Sequence, residues 1–297
     1  MLSFSPVTAD ILPSLRKYMD TQPYRVCDYT VGCVYMWRKM FKTAYCIFAD
    51  MLLFRIIGTN GKTLYVFPIG DGDVFAAVDA LLESCDGEPL IFVDIPEAAK
   101  DMLLAHYGDR AVAKEWRDSA DYLYNYETFL SFPGRHLSGK RNHLKRFYAA
   151  HPNCTFRPLT NADIPKATAF IRRFLQAHAI VGDVDIIEAE EGLRSIALLE
   201  NATQLGITAG CLWDEDEIVA VTAGEIVGDT LYVHVEKADT RFDGAYQAVS
   251  KAFATYMQTP ETVYINREDD AGDDGLRRSK LSYRPCCLLS KFSVTLR

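Results

Sequence analysis

The 297-residue chain has no CxxC pair among its eight cysteines, no apolar run near the roughly 20 residues that cross a bilayer, and no Gly/Ser-rich linker. The first absence excludes the common zinc and dithiol arrangements. Cys27, Cys33, Cys46, Cys154 and Cys211 stand among apolar neighbours and read as small reduced core residues. The adjacent pair Cys286-Cys287 adds no metal-site spacing, and the six histidines form no metal pattern, so no metal centre is expected. The second absence excludes an integral membrane segment. A signal peptide needs a basic start and an apolar core, but Pro6 and Asp10 stand there, so the expected location is cytoplasmic. Base is also in deficit: 32 Lys and Arg against 40 Asp and Glu give a net charge of −8. That balance excludes general nucleic-acid coating but permits a local basic patch. No Ser-His-Asp or Cys-His constellation follows from spacing. What remains, 49% apolar and 24% charged, is ordinary for a globular protein long enough for two domains.

What is present is a repeat. Phe4-Ser5-Pro6-Val7-Thr8-Ala9-Asp10-Ile11 returns as Phe156-Arg157-Pro158-Leu159-Thr160-Asn161-Ala162-Asp163-Ile164. Further on, Thr63-Leu64-Tyr65-Val66 returns as Thr230-Leu231-Tyr232-Val233. Two landmarks in the same order indicate two copies of one α/β unit of about 150 residues.

Patterning fills in the copies. The first opens with a strand at 3–7 and a helix near 8–20, for which Thr8 is a candidate N-cap. Residues 44–57 and 62–68 read as two strands joined by Thr59-Asn60-Gly61, a hairpin signal because Asn and Gly tolerate positive φ. A helix at 72–84, a strand at 89–94 and a helix at 96–107 follow. Residues 119–133 are aromatic-rich. Residues 135–147 carry Arg135, Lys140, Arg141, Lys145 and Arg146 with no acid, and Leu137, Leu144 and Phe147 share a helical face. This is a basic amphipathic connector. The second copy reads as strand 154–158, helices 160–178 and 188–204, strands 206–213, 217–226 and 230–236, helix 244–258 and strand 261–265. A short helix near 274–280 and a strand near 286–295 close the chain. The expected division is a domain at 1–133, a connector helix at 134–152 and a domain at 153–297.

This element order resembles the acyltransferase fold of Gcn5-related N-acetyltransferases, present twice. The fold class is α/β (α+β), each domain with a mixed, mostly antiparallel central sheet flanked by helices. Residues 120–297 carry closer matches: Asp121-Tyr122-Leu123-Tyr124-Asn125, Gly139-Lys140-Arg141-Asn142, His234-Val235-Glu236-Lys237-Ala238-Asp239, Asn266-Arg267-Glu268-Asp269-Asp270 and the run Gly275–Pro285. Together they resemble the C-terminal domain of phosphatidylglycerol lysyltransferase. The resemblance implies a relative of the transfer-RNA-dependent aminoacyltransferases, which move an aminoacyl group from an ester on transfer RNA to an amine or hydroxyl acceptor. The acceptor classes are a small molecule, a peptide or a lipid headgroup. The membrane-spanning helices that precede the lysyltransferase domain have no counterpart here.

The resemblance implies an active site in the second half. Arg241-Phe242-Asp243-Gly244-Ala245-Tyr246 stands where an acetyltransferase grips pyrophosphate on amides at a helix N-terminus. Lys237, Arg241, Gly244 and Ala245 are therefore the cofactor-binding candidates for acetyl-coenzyme A or another acyl-coenzyme A. Tyr246 replaces a small residue and Asp239 and Asp243 add negative charge, so Asp243 reads equally as a helix cap. Glu236 ends a strand beside this loop and is a candidate base; it also fits a solvated Glu-Lys strand end. Asp269 and Asp270 end the next strand and could hold a cationic group or act as base, or form a solvated acidic turn. A calcium loop there lacks the alternating ligands and distal glutamate. Lys280 could neutralise an oxyanion, and Tyr283 could serve as general acid or as a packed core aromatic. Lys140, Arg141, Lys145 and Asn266 are the substrate- and anion-binding candidates. His234 alternates with apolar residues and reads as a core histidine. Three functions remain: an aminoacyltransferase using charged transfer RNA, a coenzyme-A-dependent N-acetyltransferase, and a non-catalytic module for an anionic partner.

Overall fold

The computed structural model describes residues 2–179 and 186–297. The first half runs β1 (Ser5–Pro6), α1 (Leu12–Met19), α2 (Val31–Trp37), β2 (Ala44–Phe48), β3 (Met51–Ile57), β4 (Thr63–Gly70), α3 (Val74–Ser84), β5 (Leu90–Pro96), α4 (Glu97–Tyr107) and β6 (Ala111–Glu115). Then come β7 (Asp121–Asn125), α5 (Glu127–Ser131) and α6 (Ser138–Ala150). The second half runs β8 (Thr155–Pro158), α7 (Ile164–Ala179), α8 (Ile186–Leu205), β9 (Thr208–Asp214), β10 (Glu217–Val227), β11 (Thr230–Ala238), α9 (Ala245–Met257) and β12 (Tyr264–Asn266). It closes with α10 (Asp274–Leu281), β13 (Cys287–Leu289) and β14 (Lys291–Leu296).

Two seven-stranded mixed sheets result, one in the order β1-β2-β3-β4-β5-β14-β6, the other β8-β9-β10-β11-β12-β7-β13. The orders match place for place. The strands expected to correspond do so: β1 and β8 are outer strands, and β4 and β11 are fourth in their sheets. This is the tandem acyltransferase architecture. One step in each sheet is parallel, β4 to β5 and β11 to β12; most other pairings are antiparallel. The sixth place shows an exchange. β14, from the end of the chain, pairs antiparallel with both β5 and β6, and β7, from the first half, lies between β12 and β13.

Two compact units follow: Met1–Leu123 with Glu268–Lys280 and Cys287–Arg297, and Tyr124–Arg267 with Leu281–Cys286. The division drawn along the chain, 1–133, 134–152 and 153–297, differs from this in two places: residues 124–133 group with the second unit, and Glu268–Lys280 and Cys287–Arg297 group with the first. Patterning reads one strand near 286–295; the structure divides it into β13 and β14, which join different sheets, because alternation does not say which sheet receives a strand. Asp269, Asp270 and Lys280 consequently belong to the first unit, while Glu236 and Tyr283 belong to the second.

Local chemistry explains most element ends. Residues 44–57 are two strands rather than one, because Ala49 and Asp50 turn back with φ of 50° and 56° and pair Phe48 with Met51. Asn60-Gly61 forms the next turn as expected, with the Lys62 amide donating to Asn60 Oδ1 at 3.0 Å. Thr8 does not cap the first helix, which starts later, at Leu12 beside Pro13. In the second unit Phe147 from α6 and Ala245, Ala248 and Val249 from α9 pack on Ala220, Ala238 and Leu212 of the sheet. Each large apolar side chain so buried stabilises by about 1.5–3 kcal/mol. Among the described residues no helix is long and apolar enough to cross a membrane.

Candidate functional site

In the second unit the parallel ladder between β11 and β12 ends at Tyr232–Asn266, although β11 runs on to Ala238. Strands that part in this way leave a slot. Glu236, near the end of β11, and Arg267, one residue past β12, fill it. Arg267 Nη2 lies 2.5 Å from Glu236 Oε1, with the two side chains 13% and 9% exposed. Ser250 Oγ on α9 donates to Glu236 Oε2 at 3.0 Å. Burial works against the Arg267 charge, but the Glu236 carboxylate outweighs it and holds the guanidinium protonated beyond its ordinary range. The guanidinium also lies over the rings of Phe129 and Tyr283, at 5.2 and 4.9 Å.

Tyr283 is buried, stacked on Phe129 at 5.2 Å, and its hydroxyl accepts from Gln247 Nε2 at 3.1 Å. Burial raises its hydroxyl pKa. Lys140 places its ammonium 3.9 Å from the same ring, where burial and then Arg267 lower its pKa. Glu236, Arg267, Tyr283, Gln247, Ser250 and Lys140 thus form one polar cluster walled by aromatic rings. Asn266 is fully buried on β12 just before it. Sequence reading places Arg267 within a motif without assigning it a role; an arginine that closes an apolar strand was the available signal.

The segment after Arg267 enters the first unit. Asp270 is fully buried and held on every side. Arg277 donates twice to it, Nε to Oδ2 at 2.9 Å and Nη2 to Oδ1 at 2.7 Å. Tyr122 donates to Oδ2 at 2.5 Å and the Gly272 amide to Oδ1 at 3.0 Å. Burial would raise its carboxyl, but these bonds outweigh burial and hold it at about 2. So placed, Asp270 is a structural acceptor and a poor base. Lys280 is likewise buried and donates to the Asp269 carbonyl. Asp269 differs. It lines a cavity in the first unit, and burial pushes its carboxyl up to about 6, with Asp121 and Glu268 adding to the rise.

At the wall of that cavity, where Cys27, Asp28 and Cys33 line it, is a centre that the sequence did not disclose. Lys291, 1% exposed, places Nζ 2.6 Å from Asp28 Oδ2 and 2.8 Å from Asp121 Oδ1. The ammonium also lies 3.4 Å from Cys27 Sγ. Cys27, Asp28 and Cys33 bring donor atoms within 4.8 Å of one another, a spacing compatible with a metal ion. Lys291 already supplies the cation there. Its partners are scattered over the chain, which hid the cluster from any local motif.

The Gly244 loop is folded tightly upon itself. The Arg241 amide donates to Asp239 Oδ1, the Phe242 amide to the Asp239 carbonyl and the Ala245 amide to the Phe242 carbonyl, at 2.9, 3.1 and 3.0 Å. The Arg241 side chain is clamped on Asp239 and Glu217. Asp243 is matched by His143 at 2.8 Å and Arg146 at 2.8 Å. Hydrogen bonds from these partners hold Asp239 and Asp243 below the usual carboxylate range. Gly244 adopts φ +91°, and a Cβ there would meet the His143 carbonyl oxygen at 2.5 Å. Lys237, adjacent to Glu236 on the strand, pairs instead with Glu191 at 2.9 Å. A pyrophosphate needs free amides and little negative charge. Three amides of this loop are taken and two carboxylates stand beside it, an unfavourable setting for the pyrophosphate of coenzyme A.

The basic connector is the helix α6, and several of its cations are already in use. Arg141 donates to the carbonyls of Phe132 and Gly134, Arg146 binds Asp243, and Lys140 lies over Tyr283. Arg141 therefore caps a loop, although the residue itself remains exposed. Arg135 and Lys145 stand exposed.

Comparison with known proteins completes the description. A family model described as phosphatidylglycerol lysyltransferase, C-terminal, matches residues 21–295. A crystal structure of a conserved protein of unknown function from Bacteroides thetaiotaomicron is 30% identical, with a TM-score of 0.93 over 100% of both chains. The C-terminal domain of a putative lysylphosphatidylglycerol synthetase from Agrobacterium fabrum shares the fold, with a TM-score of 0.58 at 15% identity over 90% of this chain and 88% of that one. An uncharacterised protein of Mycoplasmoides gallisepticum is 23% identical over 178 residues, 59% of this chain, and the chain spans only 56% of that relative's length. With a family match over nearly its whole sequence, the chain belongs to the phosphatidylglycerol lysyltransferase C-terminal family.

Proposed function

We propose that the chain is an aminoacyltransferase that takes an aminoacyl group from its ester on transfer RNA and passes it to an amine or hydroxyl acceptor. The observation that carries this reading is the Gly244 loop. The Arg241, Phe242 and Ala245 amides are bonded within it and two carboxylates flank it, which favours an acyl donor that needs no pyrophosphate grip there. Family membership supports the same class of chemistry.

The transfer is balanced without a further reactant. The acceptor nitrogen or oxygen attacks the ester carbonyl carbon, and a new amide or ester bond forms as the carbonyl-to-ribose oxygen bond breaks. The acceptor proton leaves through Glu236. The Arg267 guanidinium turns toward the carbonyl oxygen as negative charge gathers on it, and Tyr283 supplies a proton to the departing ribose oxygen. Asp270 and Lys280 keep to holding the first unit. Exposed Arg135, just before α6, and Lys145 on α6 are cations available to transfer-RNA phosphates. The acceptor belongs to the amine and hydroxyl classes found on small molecules, peptides and lipid headgroups. A cytoplasmic location belongs to the same reading, because charged transfer RNA is found there.

The test is a transfer assay with total aminoacylated transfer RNA and a panel of amine acceptors. Wild-type protein is expected to release transfer RNA and aminoacylate an acceptor, and Glu236→Gln and Arg267→Lys to lose most of that rate. Undiminished transfer by both variants would contradict the assignment.

A further inference from the structure

The sheet face beneath α9 holds a buried polar atom that the fold does not use. Thr222 stands in the middle of β10 and is fully buried, and its Oγ1 has no hydrogen-bond partner among the described residues. Valine has nearly the same shape and suits a strand as well, so the fold itself gains nothing from this hydroxyl. A buried donor left unpaired costs stability.

Register tells which group stands beside it. Thr222 lies directly opposite Glu236 on β11 and opposite Gly210 on β9. Directly opposed residues share a face of the sheet, with their Cβ atoms about 4.5–5.5 Å apart. The face is the one that α9 covers, because Ser250 of α9 donates to Glu236 Oε2. Ala220, two residues before Thr222, packs with Ala245, Ala248 and Val249 of α9 on the same side. Gly210 brings no side chain, and the Phe156 ring fills the place where one would stand. Across this row the polar neighbour of Thr222 is therefore the Glu236 carboxylate.

In the resting fold both oxygens of that carboxylate are served. Ser250 donates to Oε2, and Arg267 Nη2 lies 2.5 Å from Oε1. The transfer step changes this. As Arg267 turns toward the carbonyl oxygen of the ester, Oε1 loses its partner while the Glu236 side chain is only 9% exposed. A buried carboxylate oxygen stripped of its donor is costly, and water has little access to replace it.

We propose that Thr222 is a positioning residue: its hydroxyl takes over Glu236 Oε1 when Arg267 leaves, and so keeps the carboxylate aimed at the acceptor proton. The hydroxyl is idle in the resting fold and engaged in the transition state, where an interaction raises turnover rather than binding. This inference rests on the transfer reading and adds to it a residue that touches neither substrate.

Steady-state transfer kinetics with total aminoacylated transfer RNA and an amine acceptor, alongside a thermal melt, test it on Thr222→Val and Thr222→Ser. Valine should keep or raise the melting temperature, since it removes an unpaired hydroxyl, yet lower kcat about tenfold with KM for transfer RNA unchanged. Serine restores the hydroxyl and should return kcat to within about twofold of wild type. Wild-type kcat in Thr222→Val would overturn the proposal, as would an equal loss in Thr222→Ser. A melting temperature lowered by valine would also overturn it, by showing the hydroxyl bonded in the resting fold. A wild-type chain that transfers nothing from charged transfer RNA would instead sink the transfer reading, and the role of Thr222 with it.

Discussion

The Arg267 guanidinium lies 2.5 Å from the Glu236 carboxylate at the point where β11 and β12 part, and the two side chains are almost wholly withdrawn from water. Such a pair is costly to break from one side, because the remaining charge stays buried. Arg267→Leu is expected to destabilise the fold by about 3–5 kcal/mol in urea denaturation. The double variant Glu236→Leu, Arg267→Leu should lose clearly less than the sum of the single variants. Additive losses would mean that the two residues do not act as a pair.

The two adjacent aspartates give opposite pH limbs. Asp270, held at about 2, contributes stability that is present above the ordinary carboxylate range and is lost as pH falls toward 2. Asp269, raised to about 6, does the reverse: its neutral form is favoured in the folded state. Its contribution is full below the ordinary range and is lost as pH rises through 6. Asp269→Asn should therefore flatten the decline in stability between about pH 4 and 6, and Asp270→Asn should flatten the acid limb. Chemical denaturation across pH reads both. A wild-type slope retained by Asp269→Asn in that window would refute the assignment.

Gly244 combines left-handed backbone with a close approach to the His143 carbonyl. Gly244→Ala is expected to lower stability by about 1–3 kcal/mol, read as a fall in the melting temperature. An unchanged melting temperature would show that the loop is not packed on α6 as described.

The cations of the basic connector, Arg135 before α6 and the rest on it, divide by role. Arg135→Ala with Lys145→Ala should weaken transfer-RNA binding and lower its salt slope by about 0.7–0.9 for each phosphate no longer neutralised, with stability kept. Arg141→Ala should instead cost stability, since it removes the partner of the Phe132 and Gly134 carbonyls. A filter-binding titration in varied salt, with a thermal melt, separates the two. The reverse assignment would contradict the geometry.

Local patterning carries the repeat, because strands such as Thr63–Gly70 and Thr230–Ala238 announce themselves by apolar runs and turn residues. It does not carry the exchange of β7 and β14, since an alternating strand says nothing about which sheet will accept it. The same limit hid the Lys291 centre, where residues 27, 28, 121 and 291 meet. Of the acids read in Asn266–Asp270, spacing could not tell that Asp270 would be fully hydrogen-bonded and Asp269 would face a cavity. That difference arises from Arg277 and Tyr122, one a turn downstream and one distant in sequence. The α2 helix and the β6 strand also escaped notice, lying in stretches where apolar periodicity is short.

The most direct measurement offers the purified chain two donors side by side, total aminoacylated transfer RNA and acetyl-coenzyme A, with the same amine acceptors, and identifies the product by mass spectrometry. The account predicts an aminoacylated acceptor, its formation abolished by Glu236→Gln, and no acetylated product. An acetylated acceptor formed from acetyl-coenzyme A, with charged transfer RNA left intact, would contradict it.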